Sequence, residues 1–74
     1  MGETRTVDGR DLPAPEPMER ALAALDSLDT GDRLRLLIHR EPIPLYDILR
    51  RHGYAWQSEE QDDGSFVVMI WRET

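Results

Sequence analysis

Apolar residues recur along the chain at two different spacings, and these spacings predict where helices and strands lie. The first helical stripe consists of Met18, Ala21, Leu22, Leu25 and Leu28. Residues at this spacing share one face of a helix. Pro17 suits the first turn, because that position needs no N–H donor, and Gly31 is predicted to end the helix in a left-handed conformation. A second stripe, Leu45, Ile48 and Leu49, predicts a shorter helix that ends at Gly53.

Four other segments alternate between apolar and polar residues or are rich in β-prone residues, which predicts strands. These segments are Thr4–Val7, Arg33–His39, Tyr54–Glu60 and Ser65–Arg72. Asp63-Gly64 lies between the last two and predicts a tight hairpin with a primed turn, since such turns need positive φ.

The predicted order of elements is β-α-β-α-β-β. Two crossovers followed by a hairpin predict an α+β fold, a two-layer α/β sandwich. In this sandwich a four-stranded mixed sheet carries two helices on one face. The chain has 74 residues, which is the size of one domain, and we expect that domain to span residues 4–73. The polar residues 1–3 are expected to be disordered.

The last predicted strand is apolar on both faces. Phe66, Val68 and Ile70 share one face, and Val67, Met69 and Trp71 share the other. One set must line the core beneath the helices, which leaves the other set, with Leu37, on the open face of the sheet. Exposed apolar patches of this kind mark partner surfaces. We therefore expect Leu37, Val67, Met69 and Trp71 to contact a partner protein or a second copy of the chain, unless flanking side chains cover them.

Charge and hydropathy narrow the choice of partners. Nine arginines face 15 acidic residues, and the net charge of −6 repels phosphate backbones, so we expect no nucleic-acid binding. Five of the arginines lie in the middle third, where they form either a local basic face or solvated ion pairs. No apolar run approaches the roughly 18 residues of a membrane span, and no signal-peptide pattern is present. The expected setting is therefore the cytoplasm, without membrane contact.

The absence of cysteine excludes disulfides, thiolate metal sites and thiol nucleophiles together. The histidines are His39 and His52, whereas a protein metal site usually needs three or four ligands. No combination of nucleophile, base and oxyanion donors can be assembled from the sequence. We therefore expect a protein that is not an enzyme and has no cofactor.

The segment Val7–Met18 resembles the signature of TusA/SirA-like proteins. In that family a strand ends in Asp, Gly follows, and a Cys-Pro-x-Pro motif opens the first helix. Pro15-Glu16-Pro17 matches Pro-x-Pro here, and Ala14 takes the position of the cysteine. The resemblance implies the same fold, without the thiol that would carry a persulfide.

A closer resemblance is to the sister family called domain of unknown function 2249. That family is similar in its proline-rich helix start and in a second motif, His-Asp-Pro-x-Pro-Leu. Here the second motif reads Arg40-Glu41-Pro42-Ile43-Pro44-Leu45, with His39 one place before it. The resemblance implies binding residues at both motifs. They are Ala14, Pro15, Glu16 and Pro17 in the first, and His39, Arg40, Glu41, Pro42 and Pro44 in the second.

Together these features predict a non-catalytic protein-interaction or ligand-binding module on a TusA-like scaffold. The resemblance implies a role accessory to redox, sulfur or nitrogen-oxide metabolism. Two alternatives remain open. One is a metal- or haem-binding accessory protein that uses His39. The other is a decoy that competes with cysteine-bearing sulfur carriers for their docking site.

Overall fold

Four strands and two helices alternate along the chain in a computed structural model that describes residues 2–73. In chain order they are β1 (Thr4–Asp8), α1 (Glu16–Asp26), β2 (Arg33–Ile38), α2 (Ile43–Arg51), β3 (Tyr54–Glu60) and β4 (Phe66–Arg72).

The strands form one mixed sheet in the order β1-β2-β4-β3. β1 and β2 are parallel, and β4 runs antiparallel to both β2 and β3. β4 therefore lies between the two strands that α2 connects. α1 packs over β1 and β2, while α2 packs over β3, and both helices cover the same face. The predicted α+β sandwich with its β-α-β-α-β-β order is confirmed.

The hydrophobic core lies between the sheet and the two helices. Leu34 and Leu36 of β2 are fully buried, as are Val68 and Ile70 of β4, because alternate residues of a strand point to the same face. The helices and the α1–β2 loop close this core with Ala21, Leu25, Leu28, Leu45 and Leu49.

The end of α1 differs from the prediction. The helix ends at Asp26, where the Ser27 N–H donates to the carbonyls of Ala24 and Leu25, so Gly31 does not end it. Gly31 instead takes a φ of 93° in the turn before β2. The Asp32 carboxylate, which is largely buried, accepts the backbone N–H groups of Asp29 and Glu3 there. This side chain supplies a local capping bond that hydrophobic spacing does not reveal.

The β3–β4 connection also differs from the prediction. Both types of two-residue primed turn need positive φ at the first central residue, here Asp63, whereas in this connection only Gly64 has it, with a φ of 86°. The connection instead spans residues 61–65, with the Gln61 N–H donating to the Ser65 carbonyl at 2.7 Å. The Asp63 carboxylate accepts the N–H and the hydroxyl of Ser65, and these bonds lower the pKa of Asp63.

Two smaller predictions concern the ends of elements. Within the segment expected to be disordered, Met1 lies outside the described residues, while Glu3 forms backbone hydrogen bonds with Asp32 and Arg33. β2 ends at Ile38, so His39 lies in the following bend and not in the strand. Within residues 2–73, no helix is long and apolar enough to cross a membrane.

Candidate functional site

An apolar groove of about 240 Å³ lies between the starts of α1 and α2. Both helices follow parallel strands, so both begin at the same edge of the sheet, beyond the carboxyl ends of β1 and β2. Crevices at this edge are the usual ligand sites of such sheets. The lining residues are Ala14, Pro15, Pro17, Met18, Leu36, Ile38, Arg40, Glu41, Pro42 and Leu45.

The groove brings together parts of both predicted motifs. Ala14, Pro15 and Pro17 come from the first motif, and Arg40, Glu41 and Pro42 come from the second. The two motifs are about 25 residues apart in sequence, and the parallel pairing of β1 with β2 makes them neighbours.

The other predicted motif residues lie outside this groove. Glu16 forms an ion pair with Arg20 at 3.5 Å on the outside of α1. Pro44 is exposed in the first turn of α2. His39 is also exposed and lines an adjoining hollow of about 330 Å³, which shares Ala14 and Arg40 with the groove.

Gly9 follows β1 directly and begins the loop that leads to α1. A Cβ atom on Gly9 would lie 2.9 Å from the Cβ of Pro17, closer than side chains tolerate. The Gly9 N–H donates to the Leu37 carbonyl at 2.7 Å, which ties the loop to the end of β2.

Asp8, next to Gly9, accepts two hydrogen bonds from the Arg10 guanidinium and one from the Arg10 backbone N–H. The guanidinium bonds are the main cause that lowers the pKa of Asp8 to about 2.

The prolines remove most of the backbone donors that would otherwise point into the groove. At the start of α2, Pro44 has no N–H, and the N–H groups of Ile43, Leu45 and Tyr46 already donate to carbonyls of residues 41 and 42. At the start of α1, Pro17 has no N–H, those of Glu16 and Glu19 donate to the carbonyls of residues 13 and 15, and that of Met18 remains as a donor. A helix start binds anions through free N–H groups, so these two starts are poorly equipped for it.

Sequence reasoning missed two residues of this region. Met18 belongs to the helical stripe and packs against the core, and its partly buried side chain also lines the groove. Ile43 is 58% exposed at the first residue of α2, and no other large apolar side chain within residues 2–73 is classed as exposed. Helical spacing does not separate a core position from a groove wall, so no signal in the sequence identified Met18.

An aromatic pair supports the Glu41 rim of the groove. Tyr46 of α2 stacks on Trp56 of β3, and the Arg50 guanidinium lies 5.5 Å from the Trp56 ring centre. The Tyr46 hydroxyl donates to the Glu41 carboxylate at 3.2 Å, which restricts that side chain. Partial burial is the main cause that raises the pKa of Tyr46. Glu41 is therefore held by this hydrogen bond, although both it and the neighbouring Arg40 are exposed.

The second candidate surface is the face of the sheet opposite the helices. The register places Arg33 beside Trp71, Arg35 beside Met69, and Leu37 beside Val67 on this face. The four predicted interface residues thus lie together, but each is half-buried, because flanking polar side chains partly cover them. The Arg33 guanidinium, for example, lies 5.2 Å from the Trp71 ring centre. The face is less exposed than the alternation of the sequence suggested.

The two histidines lie near opposite ends of α2. His39 precedes the helix, while His52 follows it and lines a separate groove with Tyr54 and Arg72. Within the described part of the chain, no group of three or more His, Asp or Glu side chains is arranged to hold a metal ion.

Comparison with known proteins places the fold in the SirA-like class. The chain is similar to the crystal structure of a SirA-like protein from Desulfitobacterium hafniense, with 26% sequence identity, full coverage of both chains and a TM-score of 0.80. Residues 6–72 match the model of the family described as "Uncharacterized conserved protein (DUF2249)", and the chain belongs to that family. No curated protein matches the chain. The resemblance stated from the sequence is confirmed, for a chain without cysteine.

Proposed function

We propose that this protein is a non-catalytic binding module whose groove between the starts of α1 and α2 holds an apolar segment of a partner protein. The observation that carries the proposal is the lining of the groove. Eight of its ten lining residues are apolar or proline, and the exposed Ile43 follows the lining residue Pro42 in the sequence. Exposed apolar surface around a concave site is typical of protein docking.

The chemistry of the groove favours an apolar occupant over an anion. Pro17 and Pro44 take helix positions whose N–H groups would otherwise bind anions. The N–H groups of Glu16, Glu19, Ile43, Leu45 and Tyr46 already donate to backbone carbonyls, which leaves that of Met18 as the remaining donor of the α1 start. At about 240 Å³ the groove is smaller than most drug-sized ligand pockets, which range over roughly 300–1,000 Å³. This volume suits one or two apolar side chains of a protein segment.

The same residues argue against catalysis. Ala14 stands where the related carriers have their cysteine, and its methyl group offers neither a nucleophile nor a proton. The ionisable side chains that line the groove are Arg40 and Glu41. Glu41 accepts a hydrogen bond from the Tyr46 hydroxyl, and partial burial raises the pKa of Tyr46, which makes this phenol a poor nucleophile.

Site-specific photo-crosslinking in the native host tests this proposal. A photo-reactive amino acid at position 43 should give a discrete adduct with one partner, and mass spectrometry should place the crosslink in an apolar segment. The matched control is position 23, where the exposed Ala23 lies outside the groove. A synthetic peptide of the crosslinked segment then gives a direct affinity.

Substitutions in the groove make the result decisive. Ala14→Arg places a charge in the groove and should weaken peptide binding at least about tenfold, as loss of an apolar contact at the centre of an interface does. Ala23→Arg should leave the affinity unchanged. Equal affinities of the two variants, or adducts at position 23 as abundant as those at position 43, would refute the groove as the binding site.

A further inference from the structure

On the uncovered face of the sheet, Asp8 of β1 is paired with Arg10, and the charged residues without an ion-pair partner lie in two separate places. Arg33 and Arg35 occupy β2, and Glu59 occupies the far end of β3, two strands away. Between them runs an apolar strip formed by Met69, Val67 and Leu37. The part of the face around Arg33 and Arg35, called here the arginine corner, is therefore basic. The diagonally opposite Glu59 corner is acidic and borders the Asp8–Arg10 pair, and the strip between the two corners is apolar.

These corner charges lack ion-pair partners within residues 2–73. Elsewhere in this part of the chain, ion pairs join Arg10 to Asp8, Arg20 to Glu16, and both Arg50 and Arg51 to Asp47. Arg33, Arg35 and Glu59 take part in none of them. Arg35 and Glu59 line the same hollow from strands that are two intervals of about 4.8 Å apart, with an offset along the strands.

We propose that this face binds a second copy of the chain, so that the arginine corner of each copy meets the Glu59 corner of the other. When a two-fold axis that lies in the interface plane and runs diagonally to the strands relates the two copies, both contacts form at once, as an isologous interface requires. The two sheets then cross near a right angle, which is one of the two arrangements that stacked sheets adopt. Met69 lies near the centre of the contact, where it packs against apolar residues of the other copy.

The size of the face determines how strong this association is. Four strands about 4.8 Å apart, with three facing residues each, bury less than the roughly 1,600 Å² of a standard interface. The net charge of −6 on each copy also opposes association. The dimer is therefore in reversible equilibrium with the monomer and weakens as salt screens the corner charges.

Sedimentation equilibrium of the purified protein over a wide concentration range, at low salt, tests the proposal. The wild-type protein should pass from monomer to dimer as its concentration rises. Arg35→Glu should weaken the dimer at least about tenfold, because it puts like charges at both contacts, and Glu59→Arg should do the same. The control is Arg51→Glu on the outside of α2, which should leave the equilibrium unchanged.

A mixture of the two charge variants distinguishes this arrangement from other modes of association. One chain then carries only acidic corners and the other only basic corners, so heterodimers should form where each variant alone stays monomeric. The double variant Arg35→Glu/Glu59→Arg should also recover the dimer. Circular dichroism confirms that each variant is folded. A wild-type protein that stays monomeric at every concentration, or folded variants whose mixture does not associate, would overturn the proposal.

Discussion

The Tyr46 and Trp56 rings are stacked, with centroids 5.0 Å apart and planes inclined by 13°. This contact joins α2 to β3, an edge strand of the sheet. Trp56→Ala should lower the free energy of unfolding by about 2–3 kcal/mol, because it removes a half-buried ring, its stacking and its contact with Arg50. Urea unfolding measures the change. Ile43→Ala on the same helix should change stability by no more than about 0.5 kcal/mol, because its side chain is exposed.

Gly9 should tolerate no larger residue, since a Cβ atom there would meet both Pro17 and the Leu37 carbonyl. Gly9→Ala should therefore cost about 1–3 kcal/mol of stability, as overpacking does. Gly53→Ala makes a useful comparison, because it has open space around it and a φ of 78°, so its cost of roughly 1–2 kcal/mol comes from the backbone alone. Of these two variants, only Gly9→Ala should also shift the nuclear magnetic resonance signals of the residues that line the groove. A Gly9→Ala variant as stable as the wild type would contradict this account.

The Asp8–Arg10 pair should make stability depend on pH in the acid range. The pKa of Asp8 is about 2 in the folded chain, below its ordinary value of 3.8, so the folded state binds the proton less readily than the unfolded state. The stabilisation is therefore complete above about pH 5 and is lost as pH falls toward about 2. The difference in stability between the wild type and Asp8→Asn should shrink over that range. Arg10→Gln should behave like Asp8→Asn, because it removes the other half of the pair.

Restoring a cysteine at position 14 tests the role of the prolines. Ala14→Cys should give a thiol whose pKa lies within about one unit of the ordinary value near 8.5, because few free N–H groups remain to stabilise a thiolate. Ultraviolet absorbance of the thiolate, followed against pH, measures it. A cysteine at the exposed position 23 supplies the reference. If the pKa of the thiol at position 14 were several units below that of the reference, the helix start would stabilise a negative charge despite its prolines.

The sequence was sufficient for the fold because each face of each element is marked by a regular spacing. Leu34 and Leu36 alternate with arginines, and the buried residues of α1 recur at helical intervals, so the helix-facing side of the sheet could be assigned before the structure was known. Turn geometry was harder to predict. An Asp-Gly pair is typical of a two-residue primed turn, but it also occurs in longer connections where only the glycine has positive φ, as Gly64 does here.

The candidate site was predicted only in part. The prolines of the two motifs were recognised from family resemblance, but their meeting in one groove follows from the parallel pairing of β1 and β2. Burial was the least predictable quantity. Met18 has the spacing of a core residue yet lines the groove, and Ile43 is exposed although it is as apolar as its buried neighbours. Both depend on how closely the two helix starts approach each other, a distance that local sequence does not encode.

Leu37 and Ile38 are consecutive residues, yet they serve different surfaces. Leu37 faces the open side of the sheet, and Ile38 lines the groove. Occupation of one surface therefore leaves the other free, so a self-associated pair would present two grooves at once. A partner with two apolar segments would gain avidity from such a pair, because binding of the second segment becomes intramolecular. Weak self-association at the sheet would thereby control the apparent strength of binding at the groove.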